Sequence, residues 1–248
     1  MTDLGLIAGT GALDLFQAGE EYVLDTDWGE PSAPLVKVSL GQSEAWLLAR
    51  HGRPHRIPPH RVNYRANIAA LARAGVRHVI AVNAVGSIDP ALPSGALVLP
   101  DQLIDYTWGR DHSFSDSAQD PLTHIEFAHP FAGPARLALQ SAAALAGVAL
   151  HDGGCYGATQ GPRLETAAEI QRLARDGCTL VGMTAMPEAA LAREAGLDYA
   201  SLCVVANPAA GVRDEAISID EIHRVLAQAM TEVKRLFGVI QHQQIVER

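Results

Sequence analysis

The sequence is poor in aromatic residues, in cysteine and in positive charge. Aromatic side chains make up 5% of the 248 residues, and 19 lysines and arginines stand against 28 aspartates and glutamates, so the formal net charge is −9. This excess of acid repels the phosphates of nucleic acids and provides no polybasic patch for a membrane surface. The composition therefore argues against nucleic-acid and membrane partners, although a local basic cluster would still bind a small anion.

Long apolar runs and a basic leader are also missing. No stretch approaches the roughly 20 apolar residues of a membrane-spanning helix, and residues 1–4 carry no basic segment ahead of an apolar core, as a signal peptide would. The three cysteines, Cys155, Cys178 and Cys203, are widely spaced in apolar surroundings. They predict reduced thiols of a cytoplasmic protein rather than disulfides or a zinc site.

The rest of the composition is typical of a globular α/β protein. Hydrophobic residues make up 48% of the chain and charged residues 19%, which is enough for a sizeable core. No repeat or linker divides residues 1–248, which predicts a single domain. Strands that alternate with helices predict an α/β/α arrangement with a central mixed β-sheet. We expect strands at 4–8, 35–40, 44–50, 78–84, 179–184 and 199–206, and helices at 63–73, 134–146, 165–175, 187–195 and 218–237.

Two segments that follow predicted strands offer groups for an anion. Gly9-Thr10-Gly11 resembles the start of a dinucleotide fingerprint, but Asp14 stands where the third glycine belongs, so either an anion-binding loop or a plain turn remains. The segment 50–55 (RHGRPH) combines arginines with His51 and His55, and it fits either an anion site or a solvated basic loop. A metal site built from these histidines and His60 is disfavoured, because the arginines would repel a cation.

Several polar residues at predicted element ends have an ordinary structural explanation when each is taken alone. Short polar side chains at strand ends serve as turn and cap residues, acids near a helix start interact with its dipole, and a methionine at a strand end is usually core filler. These residues are Asn83, Ser87, Met183, Thr184, Asn207, Glu165 and Glu188.

Taken together, the motifs resemble the purine nucleoside phosphorylase and methylthioadenosine phosphorylase family. The matching segments lie in family order at 6–11, 47–68, 82–88, 101–107, 161–166, 182–201 and 204–207. The resemblance implies a homotrimer with a central mixed sheet flanked by helices and with sites at subunit interfaces. It implies phosphorolysis of a purine nucleoside, with inorganic phosphate as co-substrate and with no metal or organic cofactor.

The resemblance also implies individual roles. The residues that match the phosphate site are Thr10, Arg50, His51, Asn83, Thr184 and, through its backbone N–H, Ala84. The positions that match the nucleoside pocket are Leu164, Glu165, Met183, Asn207, Ala209, Ile219, Ile222, His55 and His124. Among them, Leu164 replaces the usual aromatic residue against the base, and His124 matches a residue that reaches a neighbouring subunit's site. Asn207 and His51 are the expected catalytic residues.

The base end of the matched pocket favours a 6-oxopurine. Family members that act on methylthioadenosine carry aspartate at the position of Asn207, whereas an amide donates to a purine 6-oxygen and N7. Glu165 accepts the N1–H of hypoxanthine or guanine, and adenine, which has no N1–H, would leave this carboxylate unpaired.

The sugar end favours a 5′-methylthio group. Ordinary purine nucleoside phosphorylases place a histidine near the 5′-hydroxyl, whereas Ile219 and Ile222 match that region here. Core packing of a helix explains the same spacing equally well. A 5′-methylthio 6-oxopurine nucleoside is the expected substrate, followed by inosine or guanosine and then by methylthioadenosine. A nucleoside-binding protein that has lost catalysis and a metal-dependent hydrolase are the alternatives from other classes.

Overall fold

The computed structural model describes residues 2–16, 19–41, 43–117, 122–213 and 217–240. Their strands form one mixed sheet, and helices pack on both of its faces. The strands are β1 Leu4–Ala8, β2 Glu21–Tyr22, β3 Leu35–Leu40, β4 Ser43–Ala49, β5 His78–Ser87, β6 Leu97–Leu99, β7 Gln102–Asp105, β8 Leu150–Asp152, β9 Cys155–Ala158, β10 Leu180–Gly182 and β11 Asp198–Pro208. The helices are α1 Tyr64–Arg73, α2 Pro134–Ala146, α3 Ala167–Arg175, α4 Ala185–Glu194 and α5 Ile219–Gly238. The predicted α/β fold with a central mixed sheet is confirmed.

Four parallel strands form the centre of the sheet. Strand β1 pairs with β4 on one side and with β5 on the other, and β5 pairs along its whole length with β11. The last residues of β5 also pair with β10, which runs antiparallel to them. Consequently the carboxyl ends of β1, β4 and β11 meet around the far half of β5, and this is where an α/β sheet binds its ligands.

Alternation along the strands divides the core between the two faces of the sheet. Leu6 of β1 packs in the cluster that contains α2 and α5, whereas the adjacent Ile7 packs in the cluster that contains α1 and α4. Both side chains are fully buried, and burying each stabilises the fold by about 1.5–3 kcal/mol. Such packing on both faces makes the sheet a rigid base for the loops at its edge.

The structure corrects some predicted element ends. Strand β5 continues through Gly86 and Ser87, where we expect a loop, because β10 and β11 supply hydrogen-bonding partners there. Helix α4 begins with Ala185 but has a kink at the non-helical Met186, so its regular part begins at the predicted Pro187. The short strands β2 and β6–β9 were not predicted, because two to four residues carry too little periodicity to be recognised. No described helix has the length and apolar character needed to span a membrane.

Candidate active site

A cavity of about 190 Å³ opens at the carboxyl ends of β1, β4, β10 and β11, beside the second half of β5. Residues from eight separate stretches of the chain converge on it, as expected at this edge of an α/β sheet. Of the predicted site residues, the cavity is lined by Thr10, Arg50, His51, Ala84, Leu164, Glu165, Met183, Thr184, Asn207, Ala209 and Ile222. The fold therefore brings together, around one cavity, predicted site residues that are far apart in the chain.

Arg50 lines the cavity as half of a buried ion pair. Its Nε and Nη2 each donate to a carboxylate oxygen of Glu188 at 2.7 Å, and its Nη1 donates to the Val82 carbonyl at 3.2 Å. Both side chains are almost fully buried, with 1% and 0% of their surface exposed. Burial lowers the pKa of Arg50, but the Glu188 carboxylate more than offsets this effect and leaves the pKa raised. The guanidinium is therefore held rigidly, and its charge is already paired.

Glu188 is a residue whose role the sequence did not indicate. Its position in the first turn of α4 has a helix-dipole explanation, but the side chain accepts hydrogen bonds from Arg50 and from the Tyr199 hydroxyl, at 2.8 Å. Burial and then the neighbouring Glu188 raise the pKa of Tyr199 well above its usual value, so the phenol stays a donor. The signal that could have revealed Glu188 is its apolar neighbourhood, since a buried acid requires a cationic partner.

His51 is neutral in this structure. Its Nδ1 lies 2.7 Å from the Ile57 carbonyl, which assigns the proton to Nδ1 and leaves Nε2 as an acceptor. Burial and then the charge of Arg50 lower the pKa of His51 to about 4. A neutral imidazole suits an acceptor for a protonated phosphate oxygen.

The low pKa of His51 predicts an acid-sensitive stability. Because the folded pKa, about 4, is below the ordinary 6.5, the unfolded chain binds this proton first, and stability falls as the pH drops from about 6.5 towards about 4. Between about pH 7 and about pH 5, protonation of His51 should lower the free energy of unfolding by about 2 kcal/mol. In His51→Asn, which has no titratable ring, the acid-induced loss measured by urea unfolding should be smaller by this amount. An equal acid loss in both proteins would contradict the assignment.

Asn83 and His55 lie behind residues that line the cavity rather than on its wall. The Thr184 hydroxyl donates to Asn83 Oδ1 at 2.9 Å, and Asn83 Nδ2 donates to the Ser201 hydroxyl at 2.7 Å. His55 stacks on His51 with 4.5 Å between ring centroids. Asn83 therefore orients Thr184, and His55 covers one face of His51. Their predicted contacts with ligands stay predictions.

The two side chains predicted to recognise the base, Glu165 and Asn207, both line the cavity. Glu165 Oε1 accepts a hydrogen bond of 2.6 Å from the Thr159 hydroxyl, and Asn207 Nδ2 donates to the Pro208 carbonyl at 2.6 Å. A register shift between Val205 and Asn207 in the β5–β11 ladder marks a bulge, which re-aims the side chains of a strand. This bulge explains how Asn207 lines the cavity although it continues a buried strand.

The sugar end differs in one residue from the prediction. Ile222 lines the cavity, but Ile219 does not, and 56% of its surface is exposed. Ile219 is the first residue of α5, after the Ser218 N-cap, and has no preceding helical turn to cover it. Ile217, which lies just before the helix, lines the cavity instead. Two isoleucines therefore line the cavity, Ile217 and Ile222, of which Ile222 was predicted.

His124 lies away from this cavity and is exposed. Its predicted role belongs to a neighbouring subunit's site and is not tested by a single chain. Among the described residues, no cluster of three or more histidines, cysteines or acids is close enough to hold a metal ion. The three cysteines are free, and Cys178 and Cys203 are buried.

Comparison with known proteins gives consistent relatives over nearly the whole chain. A family model described as the Phosphorylase superfamily matches residues 3–240. The chain is 50% identical, over 95% of each chain, to a protein of Xanthomonas campestris pv. campestris named probable S-methyl-5′-thioinosine phosphorylase. It is 48% identical to a protein of the same name from Pseudomonas syringae pv. tomato, over 94% of this chain and 96% of the relative.

A solved structure confirms the fold. Methylthioadenosine phosphorylase from Schistosoma mansoni, in complex with adenine, superposes with a TM-score of 0.89 at 32% identity. The match covers 96% of this chain and 90% of that one.

Proposed function

The chain belongs to the phosphorylase superfamily, and from this membership we propose that it catalyses phosphorolysis of S-methyl-5′-thioinosine to hypoxanthine and S-methyl-5-thioribose 1-phosphate. The observation that carries this proposal is the combination of two unlike pairs of side chains around one cavity. The polar pair, Asn207 and Glu165, and the apolar pair, Ile217 and Ile222, all line it. The relatives from Xanthomonas and Pseudomonas bear the name of this activity.

The base end supports a 6-oxopurine. The amide of Asn207 donates to N7 and O6 of hypoxanthine, and the carboxylate of Glu165 accepts from N1–H. Thr159 fills one lone pair of Glu165 and leaves its other oxygen for the base. Adenine would place an unprotonated N1 against the carboxylate and a 6-amino donor against the amide N–H, and both contacts are unfavourable.

The sugar end supports a methylthio substituent. Ile217, Ile222 and Met183 bury apolar surface of the 5′-group, and a 5′-hydroxyl would find no hydrogen-bonding partner among these side chains. An unsatisfied hydroxyl costs about 1–3 kcal/mol, so inosine should react about 10–100-fold less efficiently. Inosine or guanosine is the second candidate, because the contacts of Asn207 and Glu165 suit any 6-oxopurine.

The phosphate end supports the displacement itself. Thr10, Arg50, His51 and Thr184 would hold phosphate, with inorganic phosphate as a substrate and with no further cofactor. A phosphate oxygen forms the bond to C1′ as the C1′–N9 bond breaks, and the electron pair goes to the purine. Asn207 stabilises the negative charge on the departing base, which then takes up a proton. His51 Nε2 accepts a hydrogen bond from the protonated oxygen of hydrogen phosphate.

The experiment that tests this function follows base release from methylthioinosine, inosine, methylthioadenosine and adenosine, each with and without phosphate. We expect release only with phosphate, unchanged by a chelator, and fastest from methylthioinosine. Release without phosphate would indicate a hydrolase, and binding without release would indicate a nucleoside-binding protein. Faster release from inosine would make the second candidate correct.

We propose further that the protein is a homotrimer that acts in purine salvage in the cytoplasm, with each site completed by a neighbouring subunit. Two large apolar side chains, Trp108 and Leu122, are 70% and 76% exposed, as at surfaces that pack against a partner. Leu122 and the exposed His124 lie in one irregular segment. The three free cysteines support a reducing compartment.

Removal of the His124 side chain should raise the KM for the nucleoside about tenfold while the protein stays trimeric, because a lost hydrogen bond to a bound substrate weakens binding by about 1.4 kcal/mol. His129→Ala, in the same segment, is the matched control and should leave KM unchanged. Sedimentation and steady-state kinetics on both variants provide the measurement. A fully active monomer would refute the shared site.

A further inference from the structure

Arg110 is a buried cation that the predicted site does not include. It follows β7 in the chain, and 9% of its surface is exposed. Among the residues that the structure describes, no carboxylate forms an ion pair with it, and its guanidinium donates mainly to backbone carbonyls. The acceptors are Met183 O at 2.9 Å, Met186 O at 2.6 Å, Gln160 O at 2.8 Å and Thr159 O at 3.2 Å.

These carbonyls belong to two segments that support the cavity, and of their four residues Met183 is the one that lines it. The segment of Thr159 and Gln160 leads to Glu165 and is called the base wall, and the segment of Met183 and Met186 contains Thr184 and is called the phosphate and ribose wall. Thr159 and Gln160 follow β9 and precede Glu165, whose carboxylate Thr159 holds at 2.6 Å. Met183 precedes Thr184 after the end of β10, and Met186 follows it in the first turn of α4. The β9–β10 ladder continues only to the bond from Thr159 N to Gly182 O, at 2.8 Å. Beyond that bond, Arg110 connects the base wall with the phosphate and ribose wall.

Only a guanidinium has the shape for this connection. Its Nη1 reaches the wall of Met183 and Met186, whereas its Nη2 reaches the wall of Thr159 and Gln160. Its planar fork holds these donors in fixed directions, whereas a lysine ammonium concentrates all its donors on one nitrogen. The ring of Tyr64 lies 5.5 Å from the guanidinium carbon and provides a face for it. A change of Arg110 to lysine therefore preserves the charge but loses the connection.

We propose that Arg110 is a positioning residue that couples the base wall to the phosphate wall, so that phosphate and purine bind cooperatively. Arg110 does not line the cavity, and its effect passes through Thr159 to Glu165 and through Met183 to Thr184. When phosphate orders one wall, Arg110 orders the other wall with it. Binding of the base then costs the protein less conformational entropy. The inference rests on the proposed function for its ligands, a 6-oxopurine and phosphate.

The test measures the Kd of hypoxanthine by calorimetry, without phosphate and with saturating phosphate. In the wild-type protein phosphate should tighten hypoxanthine binding at least about fivefold. Arg110→Lys should reduce this factor to less than about twofold and weaken hypoxanthine binding. Arg65→Lys is the matched control, because Arg65 ion-pairs with Asp111 and Asp116 in the loop that carries Arg110 but contacts neither wall. This control should keep the coupling.

Thr159→Val provides a second variant if Arg110→Lys does not fold, as judged by circular dichroism. It removes the hydrogen bond to Glu165 and should lower both hypoxanthine affinity and coupling while phosphate affinity stays within about twofold. A wild-type protein in which phosphate couples to neither hypoxanthine nor adenine, full coupling in Arg110→Lys, or equal loss in Arg65→Lys would overturn the proposal. The same titration with adenine separates the coupling role of Arg110 from the proposed specificity for a 6-oxopurine. Coupling of phosphate with adenine but not with hypoxanthine would refute only the assigned base.

Discussion

Arg50→Ala is expected to destabilise the protein by about 3–5 kcal/mol, in addition to abolishing efficient use of phosphate. The variant leaves the Glu188 carboxylate buried without its cationic partner, and such a charge is far more costly than a lost surface contact. Arg235→Ala, which removes an exposed ion pair with Glu232, should cost less than about 1 kcal/mol. Urea unfolding of both variants measures the difference.

A double variant separates the folding role of Arg50 from its role towards phosphate. In Arg50→Gln with Glu188→Gln neither buried charge remains, and stability should return to within about 2 kcal/mol of the wild-type value. The KM for phosphate should nevertheless rise at least about 100-fold, because the charged donors of Arg50 are lost. A stable double variant with ordinary phosphate saturation would show that the anion binds elsewhere.

The base preference is expected to change with Asn207 and Glu165. Asn207→Asp replaces a donor by a second carboxylate beside Glu165 and should lower kcat/KM for methylthioinosine at least about 100-fold. Addition of Glu165→Ser removes the repulsion and should restore part of the activity on methylthioadenosine. The two substitutions should act non-additively, because both contact one base.

Steady-state kinetics on the wild type, both single variants and the double variant provide the measurement. The preference for methylthio over hydroxyl substrates serves as an internal control, since Ile217 and Ile222 are unchanged. If the ratio of kcat/KM for methylthioinosine to kcat/KM for methylthioadenosine stays constant across all four proteins, other groups recognise the base.

Much of the fold follows from local patterns in the sequence. Helix α2 occupies its predicted range, residues 134–146, and Asn63, Thr166 and Ser218 cap α1, α3 and α5 near the predicted helix starts. These elements are recognisable because helical periodicity and caps act within a few residues. The continuation of β5 to Ser87 depends on pairing with β10, about 90 residues further along the chain, which no local pattern contains.

The site shows the same limit. Segments matching a family located the cavity-lining residues, but the partners that hold them were not predicted. Glu188 binds Arg50 across 138 positions of sequence, and Arg110 binds Met183 across 73. The exposure of Ile219 was also not predicted, since the i, i+3 spacing of Ile219 and Ile222 does not show which turn of α5 reaches the cavity. Long-range contacts of this kind require the folded structure.

A competition assay tests the proposed substrate most directly. Methylthioinosine and methylthioadenosine at equal concentration, with excess phosphate and a trace of the enzyme, release hypoxanthine and adenine in the ratio of their kcat/KM values. Asn207 and Glu165 predict that hypoxanthine forms at least about 100 times faster. Faster formation of adenine would contradict the proposed recognition of a 6-oxopurine.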